Sequence, residues 1–334
     1  MIPIHTGASR SFSPDRRTWW RPVATTLLLG AGCVAAVACH GGEPTAPAGS
    51  VRSLAAEADV VPAAKPTPEQ SSLIAYVSGR AGITDLYIMD VANGRSHRIT
   101  RDRAGTSSPT WSPDGMRIAF ASDRDASGTN VWVVPAGGGT PVKYTQSGGM
   151  SPDWSSDGTK IAFASYRDAT SDIWVMNADG SGHTRLTTTS DAWENEPVWS
   201  PNGAMIAYSS YRGGPGQIWV MNANGTGQVQ LTGLTDGTTS LSPTWSPDGT
   251  KIAFTSFRGG RQDLYVMNAD GTNQTRITET PNVAESEPRW SARGIAFTAN
   301  AAGTPTLFRM NPDGTGLTQL SRGGTPTYDA AWKP

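Results

Sequence analysis

The chain has 334 residues, 37% hydrophobic and only 16% charged, with 38 Gly and 24 Pro. So many turn-formers among so few charges exclude a bundle of long helices and favour short strands. The formal charge is −1, and beyond residue 38 the net is about −4; a body of that charge has no electrostatic footprint for nucleic acid.

Arg10, Arg16, Arg17 and Arg21 precede an apolar run, Val23–Ala38, of 16 residues. A membrane-crossing helix wants about 20, so residues 1–38 read as a cleaved export signal. Both cysteines, Cys33 and Cys39, lie here, and no disulfide can brace the rest. The run "AVAC" at Ala36–Cys39 resembles the lipobox of bacterial lipoproteins, which implies that Cys39 is lipidated and becomes the mature N-terminus. "GAGC", ending at Cys33, matches less well, because Gly30 stands where a larger aliphatic residue is usual. His40 follows Cys39 in place of Asp, which by the same resemblance implies an outer-membrane anchor on a periplasmic protein. "RRTWWR" at Arg16–Arg21 also resembles a twin-arginine signal, and an ordinary secretory signal is the plainer alternative. Residues 39–70, rich in Gly, Pro and Ala, read as a flexible tether.

From Leu73 onward the chain repeats. Trp111, Trp154, Trp199, Trp245, Trp290 and Trp332 follow at intervals of 43, 45, 46, 45 and 42. Such a period, filled with strand and turn signals, marks a propeller or array. Each unit predicts four short strands. The first carries the Trp, the second reads "IAF" or "IAY", the third reads like "DIWVM", and the fourth ends at Thr100, Thr145, Thr187, Thr232, Thr278 or Ser321. The phrase "WSPDG" between the first two strands places Pro, Asp and Gly where a tight hairpin needs them. The Trp is expected to fill space between neighbouring sheets, so the phrase is structural.

The first "IAY", at Ile74, has no Trp strand ahead of it, and the last Trp strand, "PTYDAAWKP", has nothing after it. Paired in space, these leftovers complete one sheet. The expectation is an all-β, six-bladed propeller over residues 71–334, closed by its own C-terminal strand and monomeric.

The units resemble those of the TolB-type, WD-repeat-like β-propeller family, over about 260 of the 334 residues. That resemblance implies a non-catalytic cell-envelope protein that binds a protein partner, such as a peptidoglycan-associated lipoprotein. TolB proteins carry an α/β domain before the propeller, where this chain has the tether. The sixth unit, "WSARGIAFTANAAGTPTLF", shortens its first turn and lacks the "SxR" element of the others.

Hairpin turns should open on one face of the disc, and the second-to-third loops and blade-to-blade crossings on the other. Each Trp follows the preceding fourth strand by 9 to 13 residues, and this irregular crossing face is where a site is expected. One crossing, "TSDAWENEPVW", has an extra Trp193 among Asp191, Glu194 and Glu196, and "NVAESEP" adds Glu285 and Glu287. Trp193 reads either as an interface anchor or as a cover for the next blade. Arg80, Arg124, Arg167, Arg212 and Arg258 recur six residues after each Ile, with Ala301 in the sixth place. They are expected either to clasp Asp85, Asp172 and Asp263 at the starts of third strands or to ring the channel mouth.

Support for catalysis is thin. No Gly-x-Ser-x-Gly elbow occurs, and "DRDASGTN" from Asp123 places Val134 where a calcium loop needs Glu. His97 and His183 fall beside third-to-fourth hairpins, so no metal or other cofactor is implied. The alternative function is a carbohydrate-binding or carbohydrate-active propeller using carboxylates at the channel mouth.

Overall fold

The structure, a computed structural model, describes residues 72–334 apart from 81, 126, 168–169, 234–236, 302 and 323. The export signal, Cys33, Cys39 and the tether lie outside the described residues. No helix of the described residues is long and apolar enough to cross a membrane.

The alternation of each unit dictates a strand with two buried faces. In the second strand, Ile118, Ala119, Phe120 and Ala121 are all fully buried, and the other units repeat this. Such strands need covering on both sides, and a ring of packed sheets supplies it. The described residues accordingly form six four-stranded antiparallel sheets, the blades of a six-bladed propeller, numbered 1 to 6 by the second strands that carry Ile74, Ile118, Ile161, Ile206, Ile252 and Ile295. Each blade runs from the inner Trp strand to a short outer strand.

The recurring Trp does what its size suggests. Trp111 of blade 2 sits in one cluster with Ile118 and Phe120 of its own blade and with Leu86, Ile88 and Ile99 of blade 1. Trp154, Trp199, Trp245 and Trp332 are likewise buried. Burying one such ring contributes roughly 1.5–3 kcal/mol or more. After the Trp, Ser112 accepts at its carbonyl from the Gly115 amide (2.8 Å), and Asp114 accepts from the Met116 amide (2.9 Å). Gly115 has φ +65°, which explains the glycine. This closes "SPDG" without any ligand.

The fourth strands are shorter than the sequence reading gives them. Outer strands such as Val142–Lys143 and Thr184–Arg185 stop two residues before the recurring Thr of the unit. The Thr hydroxyl then takes over from the ladder. Thr145 accepts from the Val131 amide, Thr187 from Ile173 and Thr232 from Ile218, each at 2.9 Å, and Ser321 does the same for Leu307 at 3.0 Å.

Closure follows the expected route. The strand Thr327–Trp332 pairs antiparallel with Leu73–Arg80, matching Ile74 to Trp332 and Ser78 to Thr327. Trp332 packs with Ile74, Tyr76 and Met89 of blade 1 and with Ala296, Leu307 and Leu320 of blade 6.

Candidate functional site

The two faces separate as topology requires. Beside each Trp hairpin lies the third-to-fourth hairpin, the Ala178 amide donating to the Thr159 carbonyl (2.9 Å) and Ala223 to Ala204 (2.9 Å). On the other face the crossings bind the second-to-third loops. The Tyr211 amide donates to the Trp193 carbonyl (2.9 Å), and Phe257 to Thr239 (3.0 Å).

On that crossing face Trp193 is 46% exposed and meets Tyr166 edge to face, their centroids 5.4 Å apart. Tyr166, Tyr211 and Phe257 are also exposed large side chains. Each stands five residues after its unit's Ile, in blades 3, 4 and 5, where blades 1, 2 and 6 have Gly79, Asp123 and Asn300. Trp193 belongs to the crossing into blade 4, so the four rings lie on consecutive blades. The sequence signal was available in "SYR", "SYR" and "SFR", but it was hidden by the more regular Arg that follows.

Glu196 lies beside this group. Burial first, and then the Glu196 charge, raises the Tyr211 phenol pKa; burial raises that of Tyr166, with Glu196 adding a smaller push. Asp191 is exposed next to Trp193. The other carboxylates of the two acidic crossings part company here. Glu194 and Glu285 have no exposed surface. Glu194 Oε1 accepts from Arg212 (2.8 Å), and Glu285 accepts from the Thr278 hydroxyl (2.7 Å). They begin inner strands and point into the blade, so the expectation that they offer charge to a partner is corrected. Burial pushes the Glu285 carboxyl up to about 7.

Glu196 and Glu287 belong to the inner ring. At the third residue before each Trp the inner strand bulges, and Ser108, Ser151, Glu196, Ser242, Glu287 and Asp329 all have φ between +48° and +56°. Left-handed non-glycine residues at one position of every blade are a repeated strain with a purpose. The bulge turns backbone amides away from their own ladder, and the preceding blade's side chains receive them. Glu196 accepts from the Ser242 amide (2.8 Å) and hydroxyl (3.0 Å), Asp329 from the Ser108 amide (2.7 Å), and Glu287 from the Asp329 amide (3.3 Å). Asp153, nearer the Trp, accepts from the Trp199 amide (2.8 Å) and the Thr110 hydroxyl (3.2 Å). These carboxylates tie blade to blade. Burial raises Asp153 to about 6, and burial with the neighbouring Asp329 charge holds Glu287 well above the usual carboxylate range.

The five arginines do not ring the mouth. Arg124, Arg167, Arg212 and Arg258 fold back onto their blades, each guanidinium 4.5–5.1 Å over a third-strand ring: Trp132, Trp174, Trp219 and Tyr265. Asp85, Asp172 and Asp263 pair instead with outer-strand arginines, Arg98, Arg185 (2.7 Å) and Arg276 (2.8 Å). The clasp exists in units 1, 3 and 5, but with the outer-strand arginine. Arg80 differs from its counterparts and donates to the Gly324 carbonyl. Among the described residues no group of three or more His, Cys, Asp or Glu is placed to hold a metal.

The sequence matches the PD40 family, described as the TolB beta propeller domain, over residues 147–240 and 226–334, together more than half of the chain. Among solved structures, TolB from Acinetobacter baumannii is similar with a TM-score of 0.69 and 23% identity, covering 79% of this chain and 67% of that one. A putative TolB from Agrobacterium tumefaciens aligns with a TM-score of 0.62 and 20% identity, over 79% of this chain and 99% of its own. A chain of the nidogen/laminin complex aligns equally well at 10% identity, over 78% and 98%. No curated protein sequence matches.

Proposed function

Because the chain belongs to the TolB β-propeller domain family, we propose that it is a binding protein of the cell envelope that engages a protein partner through its crossing face. It is held to the membrane by lipid on Cys39, and a peptidoglycan-associated lipoprotein is the partner class the family points to. The observation that carries this reading is the run of exposed aromatics on consecutive blades, Tyr166, Trp193, Tyr211 and Phe257. Monomers rarely leave large rings exposed side by side, and Trp and Tyr dominate binding hot spots. Exposed Asp191 supplies an acidic rim, which favours a basic patch on the partner. Catalysis has no part in the proposal, because the inner-ring carboxylates are engaged by backbone amides of neighbouring blades.

Cross-linking in cells, followed by mass spectrometry, would identify the partner. Its affinity should then fall by about 2 kcal/mol or more for Trp193→Ala, with the fold intact because Trp199 still fills the blade. Asp191→Lys should chiefly slow association. Asp179→Ser, in a hairpin of the opposite face, should change nothing. A silent Trp193→Ala beside a damaging Asp179→Ser would assign binding to the other face. Lipidation is tested separately by Cys39→Ser, which should release the protein from the detergent phase.

A further inference from the structure

A groove marks the joint at which the two chain ends meet. It lies between blades 6 and 1 and has a volume of about 680 Å³. At four other joints the glycine of the third-to-fourth hairpin is pressed against the preceding blade. A Cβ on Gly180, Gly225, Gly271 or Gly314 would come within 2.6–3.1 Å of Tyr144, Leu186, Leu231 or Ile277. Blade 1 has Asn93 at that position, and a Cβ on the following Gly94 would meet nothing within 4 Å, as is also true of Gly138 in blade 2.

The wall of the groove is a surface that other blades cover. Tyr76 and Tyr87 stack with centroids 5.5 Å apart, at the positions of Phe163 and Trp174 in blade 3. In blades 2–5 a guanidinium lies over this ring pair. In blades 3, 4 and 5 it also bonds His183, Gln228 or Gln274, two residues before the outer-strand partner of the third-strand ring. In blade 6 Leu317 takes that place and packs with Phe297 and Phe308. Blade 1 has Ser96 there, exposed and short. Its own arginine is removed for a traceable reason. The ladder of blade 1 continues two residues further than in blades 2–5, pairing Arg80 with Ile83, so Arg80 points along the hairpin rather than back over the rings.

What fits the vacant face follows from the charges. In blades 2 and 4 the covering arginines have carboxylates, Asp102 at 2.7 Å from Arg124 and Glu194 at 2.8 Å from Arg212. The groove has none among its lining residues and has Arg322 instead, with Arg80 anchored nearby at Gly324. A second cation would be desolvated without a counter-charge. The remaining lining is aromatic or neutral and hydrogen-bonding, including Gln319 and Thr325.

We propose that the blade 6–blade 1 groove binds a short acidic oligosaccharide, one sugar ring lying on the partly exposed Tyr87 ring and its carboxylate meeting Arg322. Ser96, Gln319 and Thr325 both donate and accept, which suits sugar hydroxyls. The volume lies within the usual range for small-ligand sites. This site is separate from the aromatic crossing surface of blades 3–5, so either assignment can fail alone.

Calorimetry of the full chain with tri-galacturonate tests the idea, with maltotriose and arginine amide as the neutral and cationic probes. Tri-galacturonate should bind with a Kd below about 1 mM. Arg322→Glu, an exposed change, should weaken it by about tenfold or more. Ser96→Trp, which fills the groove from an exposed position, should abolish binding without lowering the melting temperature. Trp193→Ala should have no effect on it. No binding of tri-galacturonate up to about 10 mM, equal binding of maltotriose, preference for arginine amide, or indifference to both groove variants would each overturn the proposal.

Discussion

At the scale of single residues, the same residue type does opposite things at strand positions two apart. Glu194 and Glu196 are two residues apart, yet one is sealed inside blade 4 against Arg212 and the other reaches the next blade's Ser242. Glu285 repeats the sealed position without a direct arginine partner, and one of its oxygens finds no hydrogen bond. Its pKa, raised by burial to about 7, means that the folded state holds a proton the unfolded chain would release. The stabilising contribution of that proton is therefore complete below the ordinary value near 4.5 and is lost as pH rises through 7. Glu285→Gln keeps the acceptor for Thr278 and removes the charge. By the pKa difference it should stabilise the fold at pH 8 by on the order of 3 kcal/mol, and by almost nothing at pH 4. Thermal melting of the two proteins across that range reads the difference directly. Removing Glu194 should act in the other direction, since Arg212 would be left without its buried partner, typically at a cost of about 3–5 kcal/mol.

At the scale of elements, the last inner strand and the first hairpin are the least regular parts of the ring. The strand Thr327–Trp332 completes blade 1 and adds the Lys333 amide to the Leu73 carbonyl (3.0 Å). It also supplies the Ala331 carbonyl that accepts from the Trp111 indole (3.0 Å). Deleting Thr325–Pro334 exposes the edge of Leu73–Arg80 and empties the Trp332 site. Loss of a large buried aromatic alone costs roughly 3–5 kcal/mol, and an open strand edge invites association. The truncated chain should melt well below the full one and aggregate. An unchanged melting temperature in a soluble monomer would contradict closure by this strand. The longer ladder of the first hairpin has a local cause too: a Cβ on Gly79 would lie 2.0 Å from the Ile83 carbonyl oxygen, so only glycine permits the tight return.

At the scale of the whole molecule, two populations of carboxylates set the pH profile. Asp153 and Glu287, on the inner ring, and Glu285 have raised pKa values, chiefly from burial. Those groups favour acid, and their effect fades as pH rises, through about 6 for Asp153 and about 7 for Glu285. The hairpin carboxylates Asp114, Asp157, Asp248 and Asp313 are exposed and held low by serine, threonine and backbone donors, Asp248 at about 2. Their contribution is present above the ordinary 3.8 and is lost as pH falls below it. The melting temperature should therefore peak near pH 4–5, declining toward neutrality and again in stronger acid. A maximum at pH 8 would mean that the inner ring is less desolvated than its geometry implies.

The repeat, the blade count, the Trp hairpins and the closure were all legible in the sequence. Each rests on local chemistry that recurs: "SPDG" defines a turn wherever it occurs, and an unpaired Trp strand at the end must meet an unpaired "IAY" at the start. Trp193 also announced itself, as a Trp outside the period. What the sequence could not decide is which way a side chain faces where the strand stops being regular. The left-handed bulge before each Trp reverses the face of Glu196 and Glu287 relative to Glu194 and Glu285, and no composition rule foretells it. Arg80 and Arg124 occupy the same place in the period, yet a ladder two residues longer sends one outward and lets the other lie on its rings. The groove between blades 6 and 1 arises only when the two chain ends meet, because its walls come from residues more than 200 apart in sequence. Local pattern specified the blades; the contacts between them decided where surface was left over.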